Sequence, residues 1–123
     1  MDARKTLGVA GALIALATVF GAFGAHALKA HLSQDKLQVY ETAVRYHFYH
    51  ALGLLAIGVL LRSADSELLR WSAVLVVIGI ILFSGSLYLL TFGAPRPLGI
   101  VTPFGGLALI LGWILFAVTV CRR

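Results

Sequence analysis

The sequence predicts an all-α polytopic membrane protein, a four-transmembrane-helix bundle forming one domain over residues 1–123, and three observations predict it. The 123-residue chain is 60% hydrophobic and only 12% charged, far from the balance of about half apolar and a quarter charged in soluble domains. Four apolar windows each approach the ~20 residues needed to cross ~30 Å of hydrocarbon. Short links rich in charge, Pro or Gly separate them. A soluble fold of this length would have to hide nearly every apolar side chain, whereas a bilayer accepts apolar surface all round a helix.

The first window, residues 7–26, contains no Asp, Glu, Lys or Arg. Gly11, Ala15, Thr18, Ala22 and Ala25 recur along it at spacings of three and four, with Gly21 and Gly24 alongside. Because the hydrophobic effect does not drive helices together in lipid, small residues that let backbones approach must supply much of the association. Gly11, Ala15, Gly21 and Gly24 are therefore read as internal packing positions. The basic start and Ala25-His26-Ala27 imitate a secretory signal, but the apolar run exceeds the usual ~7–15 residues, so the segment is expected to stay as a helix.

The second window, residues 42–61, is preceded by Ser33, a residue suited to capping a helix start. Its uninterrupted apolar part from Ala51 to Leu61 covers only ~16 Å, so the helix must carry polar residues into the membrane. The third window, residues 68–90, follows the charged turn from Arg62 to Glu67. Gly93-Ala94-Pro95-Arg96-Pro97 breaks the chain before the fourth window, residues 103–121, since Pro and Gly end helices. Thr102 before Pro103 suits a capped start there.

The net charge of +5 is not a nucleic-acid signature, because the Lys and Arg residues sit at the ends of apolar runs rather than on one face. Arg4, Lys5, Arg62, Arg70, Arg122 and Arg123 share one side; Lys29, Lys36 and Arg96, with Arg45 nearby, share the other. The excess of basic residues predicts a multi-pass protein of the inner (cytoplasmic) membrane with both termini in the cytoplasm. Cys121 is the single cysteine, which excludes an internal disulfide or a thiolate cage.

The polar residues of the second window have company at one membrane side. Glu41 and Arg45 are spaced for a helical ion pair, Tyr46 and His50 follow, and His26, Tyr88 and Thr102 reach the same depth from the other helices. These seven residues form the candidate cluster. Aromatic and long basic residues belong at membrane interfaces, so anchoring and interhelical hydrogen bonding are the structural reading. Histidines that titrate near neutrality also allow proton relay or pH sensing. His47 and His50 alone are a weak metal motif, and a haem pocket would need an axial His from facing helices. No nucleophile with its base and orienting acid can be read, and Gly105-Gly106 lacks the Lys-Ser or Lys-Thr of a phosphate loop; a non-enzyme is expected, with no cofactor.

The stretches Gly21–Leu28, Tyr40–Ala43, Arg45-Tyr46, Tyr49–Leu52, Gly85–Leu90, Thr102–Gly106 and Gly112-Trp113 together resemble the bacterial domain of unknown function 423 family. That family includes YgdD-like inner-membrane proteins and the eukaryotic transmembrane protein 256. The resemblance spans nearly the whole chain and implies a small four-helix membrane protein with no established activity. Within the cluster it implies shared positions at His26, Glu41, Tyr46, His50, Tyr88 and Thr102, while His47 stands where relatives commonly have Gln.

Three functional classes follow. The first is a nonenzymatic accessory or envelope factor whose cluster lies on the non-cytoplasmic side and receives a lipid, a membrane-protein partner or a second copy. The second is a small proton-coupled, metal or cation transporter, although the first helix lacks the buried carboxylate that small drug exporters use for coupling. The third is a haem- or quinone-binding membrane protein.

Overall fold

The computed structural model describes residues 1–122, with Ala25 described by its backbone alone. Four long apolar helices make up the chain: α1 (Ala3–Leu28), α2 (Gln34–Ser63), α3 (Glu67–Thr91) and α4 (Val101–Cys121). A 3-10 turn, Arg96–Ile100, leads into α4. The fold is the expected all-α membrane bundle, and each helix outruns its apolar window. The largest difference is in α2, whose 30 residues extend roughly 45 Å. Its first turns carry the polar sequence that the hydrophobic window omitted.

Local chemistry sets the helix ends. Asp2 accepts from the Lys5 N–H at 2.8 Å, Ser33 from Lys36 N–H at 3.2 Å and Ser66 from Leu69 N–H at 3.4 Å. Each occupies a donor that the first helical turn leaves unpaired. The Asp2 carboxyl is held below its usual range chiefly by the Lys5 backbone bond. At the other end of α3, Gly93 takes a φ of +96°, the left-handed conformation that closes a helix where a side chain would clash. Lys36 at the start of α2 donates to the Leu90 carbonyl at 3.1 Å, a cation against a helix C-terminus. Thr102 does not cap α4. That helix continues from the 3-10 turn without a side-chain cap, which leaves the Thr102 hydroxyl for α3.

Among the described residues, the extensive packing runs α1 on α2, α2 on α3 and α3 on α4. The bundle is thus an open row rather than a closed ring. Its core lies between the middle helices and toward the termini, built from Leu54, Ile57, Leu61, Leu69, Val76 and Ile80 with Ala10 and Leu109 from the outer helices. Glycines let the row close tightly. A methyl group on Gly58 would lie 2.7 Å from the Leu7 side chain, and one on Gly112 would lie 3.1 Å from Val76. Hydroxyls add interhelical bonds: Ser84 donates to the Ala43 carbonyl at 2.8 Å, and Ser72 to the Gly112 carbonyl at 2.9 Å.

The small-residue stripe of α1 divides. Gly21 packs against Val44 and Gly24 against the Tyr40 hydroxyl. Gly11, Ala15, Thr18 and Ala22 are exposed, with open space around Gly11, so Gly11 and Ala15 are not internal packing positions. The buried face of α1 is instead Thr6, Ala10 and Ala17. These residues also recur at helical spacing, and docking of α1 on α2 alone decides between the two faces. Ala25 of the stripe falls outside the described side chains, as Arg123 does from the basic group at the termini.

Candidate functional site

The far side of the bundle, opposite the termini, is built first from a departure in α1. Val19–Gly24 is a π-helical turn, a widened turn of the kind often found at functional positions in longer helices. There the Phe20 carbonyl accepts the Tyr40 hydroxyl from α2 at 2.6 Å. The ring of Tyr40 is almost fully buried and packs beside Tyr88 with ring centroids 5.7 Å apart.

Seven sequence-selected residues are placed in three environments. Tyr88 joins the interior, where its hydroxyl lies 2.9 Å from Nδ1 of His47. Thr102 also serves the interior, 2.6 Å from the Ser86 hydroxyl, which in turn donates to the Phe83 carbonyl at 2.9 Å. Tyr46 and His50 line a groove on the lipid-facing surface. His26, Glu41 and Arg45 are exposed, and Glu41 and Arg45 line a separate small cavity with Gly21, Tyr40 and Val44. Among the described residues, neither Glu41 nor Arg45 makes an ion pair, so the helical spacing brings the two together in sequence only.

His47 is the histidine that the interior uses. It is 2% exposed, its Nε2 is enclosed without a hydrogen bond, and the backbone of Leu13 in α1 lies close to the ring. Among the described residues there is no group of three or more His, Cys, Asp or Glu able to hold a metal ion. His47 and His50 serve separate environments: Nδ1 of one meets Tyr88, and Nδ1 of the other accepts from the indole N–H of Trp113 at 2.9 Å.

Trp113, outside the seven residues that the sequence points to, bridges two helices that the row holds apart. Gly53 of α2 makes room for it, since a Cβ there would overlap the indole. Between α2 and α4, with Phe83 of α3 at its base, lies a groove of about 600 Å³ that includes Gly106, Trp113 and Ile114. Tyr46 stacks on His50 with centroids 6.0 Å apart and planes 23° apart, and Tyr46 meets Phe83 at 4.9 Å. The signal that could have found this wall was the Gly53–Trp113 pair, a missing side chain on one helix matching the largest side chain on another.

Fold and site define a polytopic four-helix membrane protein whose polar residues are mostly spent on holding helices together. The family model described as "Protein of unknown function (DUF423)" matches residues 20–106. The chain is 43% identical over 116 residues to a UPF0382 membrane protein of Staphylococcus haemolyticus, covering 94% of each chain. It is 41% identical over 120 residues to the UPF0382 membrane protein YwdK of Bacillus subtilis, covering 96% of this chain and 98% of that one. The chain belongs to this DUF423/UPF0382 family of membrane proteins. No solved structure matches it.

Proposed function

We propose that the protein is a nonenzymatic accessory factor of the cytoplasmic membrane that receives a partner within the bilayer at the groove beside His50. The observation that carries this reading is how the polar groups are used. Tyr40, His47, Tyr88, Ser84, Ser86 and Thr102 bond within the bundle. His50 bonds within the bundle through Nδ1 alone, to Trp113, and lines an aromatic-walled groove open to lipid. Ionisable residues inside a membrane are costly, and one that lines an open groove is by default a candidate functional position.

Native mass spectrometry of protein released gently from its own membrane tests this. A stoichiometric companion is expected on the native chain and absent from His50→Ala. An unchanged bare chain in both would overturn the reading.

Both termini are assigned to the cytoplasm on the distribution of basic residues, and Cys121, exposed and the sole cysteine, reports on it directly. A membrane-impermeant maleimide is expected to leave Cys121 unlabelled in intact cells and to label it after lysis. In a Cys121→Ser background, Ala94→Cys in the far-side loop is expected to label without lysis. The reverse pattern would invert the topology and put the end of the bundle that carries His26, Glu41 and Arg45 in the cytoplasm.

A further inference from the structure

We infer that the groove beside His50 is a site for a lipophilic molecule with a planar, carbonyl-bearing head, the chemistry of an isoprenoid quinone. This inference rests on the binding role proposed above and names the ligand class.

The hydrogen bond between Trp113 and His50 fixes which atom is offered. An indole N–H can only donate, so His50 Nδ1, 2.9 Å away, is the acceptor and carries no proton. The neutral imidazole then carries its proton on Nε2. That N–H has no acceptor among the described residues, and unlike Nε2 of His47 it is not enclosed by protein. His50 lines the groove, the space assigned here to this N–H. A fixed donor in hydrocarbon calls for an acceptor from whatever fills the space, because an unmet polar group there has no water to turn to.

Depth narrows the acceptor. His50 lies ~18 Å along α2 from Arg62 at ~1.5 Å per residue, near the middle of a ~30 Å core. The ester carbonyls of phospholipids sit at the boundary of that core and do not reach it. A partner helix offers the second lone pair of a backbone carbonyl, as Ala43 and Gly112 do to Ser84 and Ser72, but its ridged side-chain surface is not the flat shape that the nearly parallel Tyr46 and His50 rings favour. A carbonyl on a mobile lipophilic ring meets neither limit.

Shape agrees with that choice. Tyr46 lies nearly parallel to His50, and Trp113 is tilted from His50 by 32° at 6.2 Å. Such rings stack against a flat conjugated head. The volume of about 600 Å³ lies within the ~300–1,000 Å³ usual for small-molecule sites. Ile114, on the groove's aliphatic side, suits an isoprenoid tail. The role assigned is binding, with no electron transfer.

The chain's two tryptophans make the test direct. Trp71 is exposed at the termini end of α3, away from the groove, so Trp71→Phe leaves Trp113 as the only indole. Decylubiquinone titrated into this variant in mild detergent is expected to quench Trp113 fluorescence saturably. His50→Leu in the same background is expected to weaken half-saturation by about tenfold, the loss of one hydrogen bond in a dry site. His50→Gln, whose amide can both accept from Trp113 and donate to a carbonyl, is expected to stay close to the parent.

Decylbenzene, with the same tail and no carbonyl, is expected not to compete. Circular dichroism checks that each variant is folded. Should His50→Leu fail to fold, Gly106→Leu, which obstructs the groove without touching His50, is expected to abolish saturation. Quenching that rises linearly and equally in all variants would overturn the inference, as would equal competition by decylbenzene. If the quinone fails while native mass spectrometry still finds a companion lost on His50→Ala, the binding role stands and the ligand class falls. If both fail, the binding role falls with it.

Discussion

Gly105→Ala is expected to cost about 3 kcal/mol of bundle stability, at the upper end of overpacking penalties. A Cβ on Gly105 would fall on the backbone nitrogen of Phe83, with the Cα of Phe83 and the carbonyl carbon of Leu82 each 2.7 Å away. All three are main-chain atoms of α3. No rotamer change relieves the contact, so α4 must move away from α3 along the tightest stretch of the row. The movement would also disturb the Ser86–Thr102 pair and the floor of the groove at Phe83.

Thermal unfolding in mild detergent, followed by circular dichroism, measures the cost against two controls. A Cβ on Gly106 meets the Phe83 ring at 3.7 Å, an ordinary contact, and one on Gly11 meets nothing within 4 Å. Both alanine variants are expected to stay within about 0.5 kcal/mol of the parent. Three similar melting curves would mean that the α3–α4 spacing is not set by the missing side chain.

This contrast among glycines marks what a sequence can disclose. Apolar length is a local property, and residues 7–26, 42–61, 68–90 and 103–121 all fall within helices of the structure. Helix rotation is not local. His47 and His50 are three residues apart and identical in type, yet one is buried beside Tyr88 and the other meets Trp113 and lines the lipid-facing groove. Packing of α1 and α3 on α2 chooses between them.

The same ambiguity separated Thr6, Ala10 and Ala17 from Gly11 and Ala15, since both sets recur at helical spacing and only one meets α2. Among the candidate site residues, membrane depth was legible but partners were not. Tyr88, Thr102 and His50 do reach the far half of the bundle, but Tyr88 meets His47, Thr102 meets Ser86 and His50 meets Trp113. Each pair joins helices whose relative rotation no spacing rule supplies. Glu41 and Arg45 have the spacing of a pair without making one, because both are exposed and each can extend separately to polar surroundings.

Gly24→Ala and Tyr40→Phe are expected to be coupled, because a single hydroxyl carries much of both effects. Tyr40→Phe removes the 2.6 Å bond to the Phe20 carbonyl of the π-helical turn, a loss of about 1 kcal/mol for one intramolecular hydrogen bond. Gly24→Ala places a Cβ on the Tyr40 hydroxyl and 3.1 Å from Cζ of its ring. The ring must therefore shift, at about 2 kcal/mol. Once the hydroxyl is gone the remaining contact is only tight, so Gly24→Ala in the Tyr40→Phe background should cost less by about 1 kcal/mol. A double-mutant cycle on thermal unfolding in one detergent measures the difference. Strict additivity would mean that the π turn is held by its own backbone. Coupling of the expected sign would mean that α2 holds it open, so the direction in which α1 leaves the bundle, and with it the exposed His26, is set by one tyrosine hydroxyl rather than by the sequence of α1.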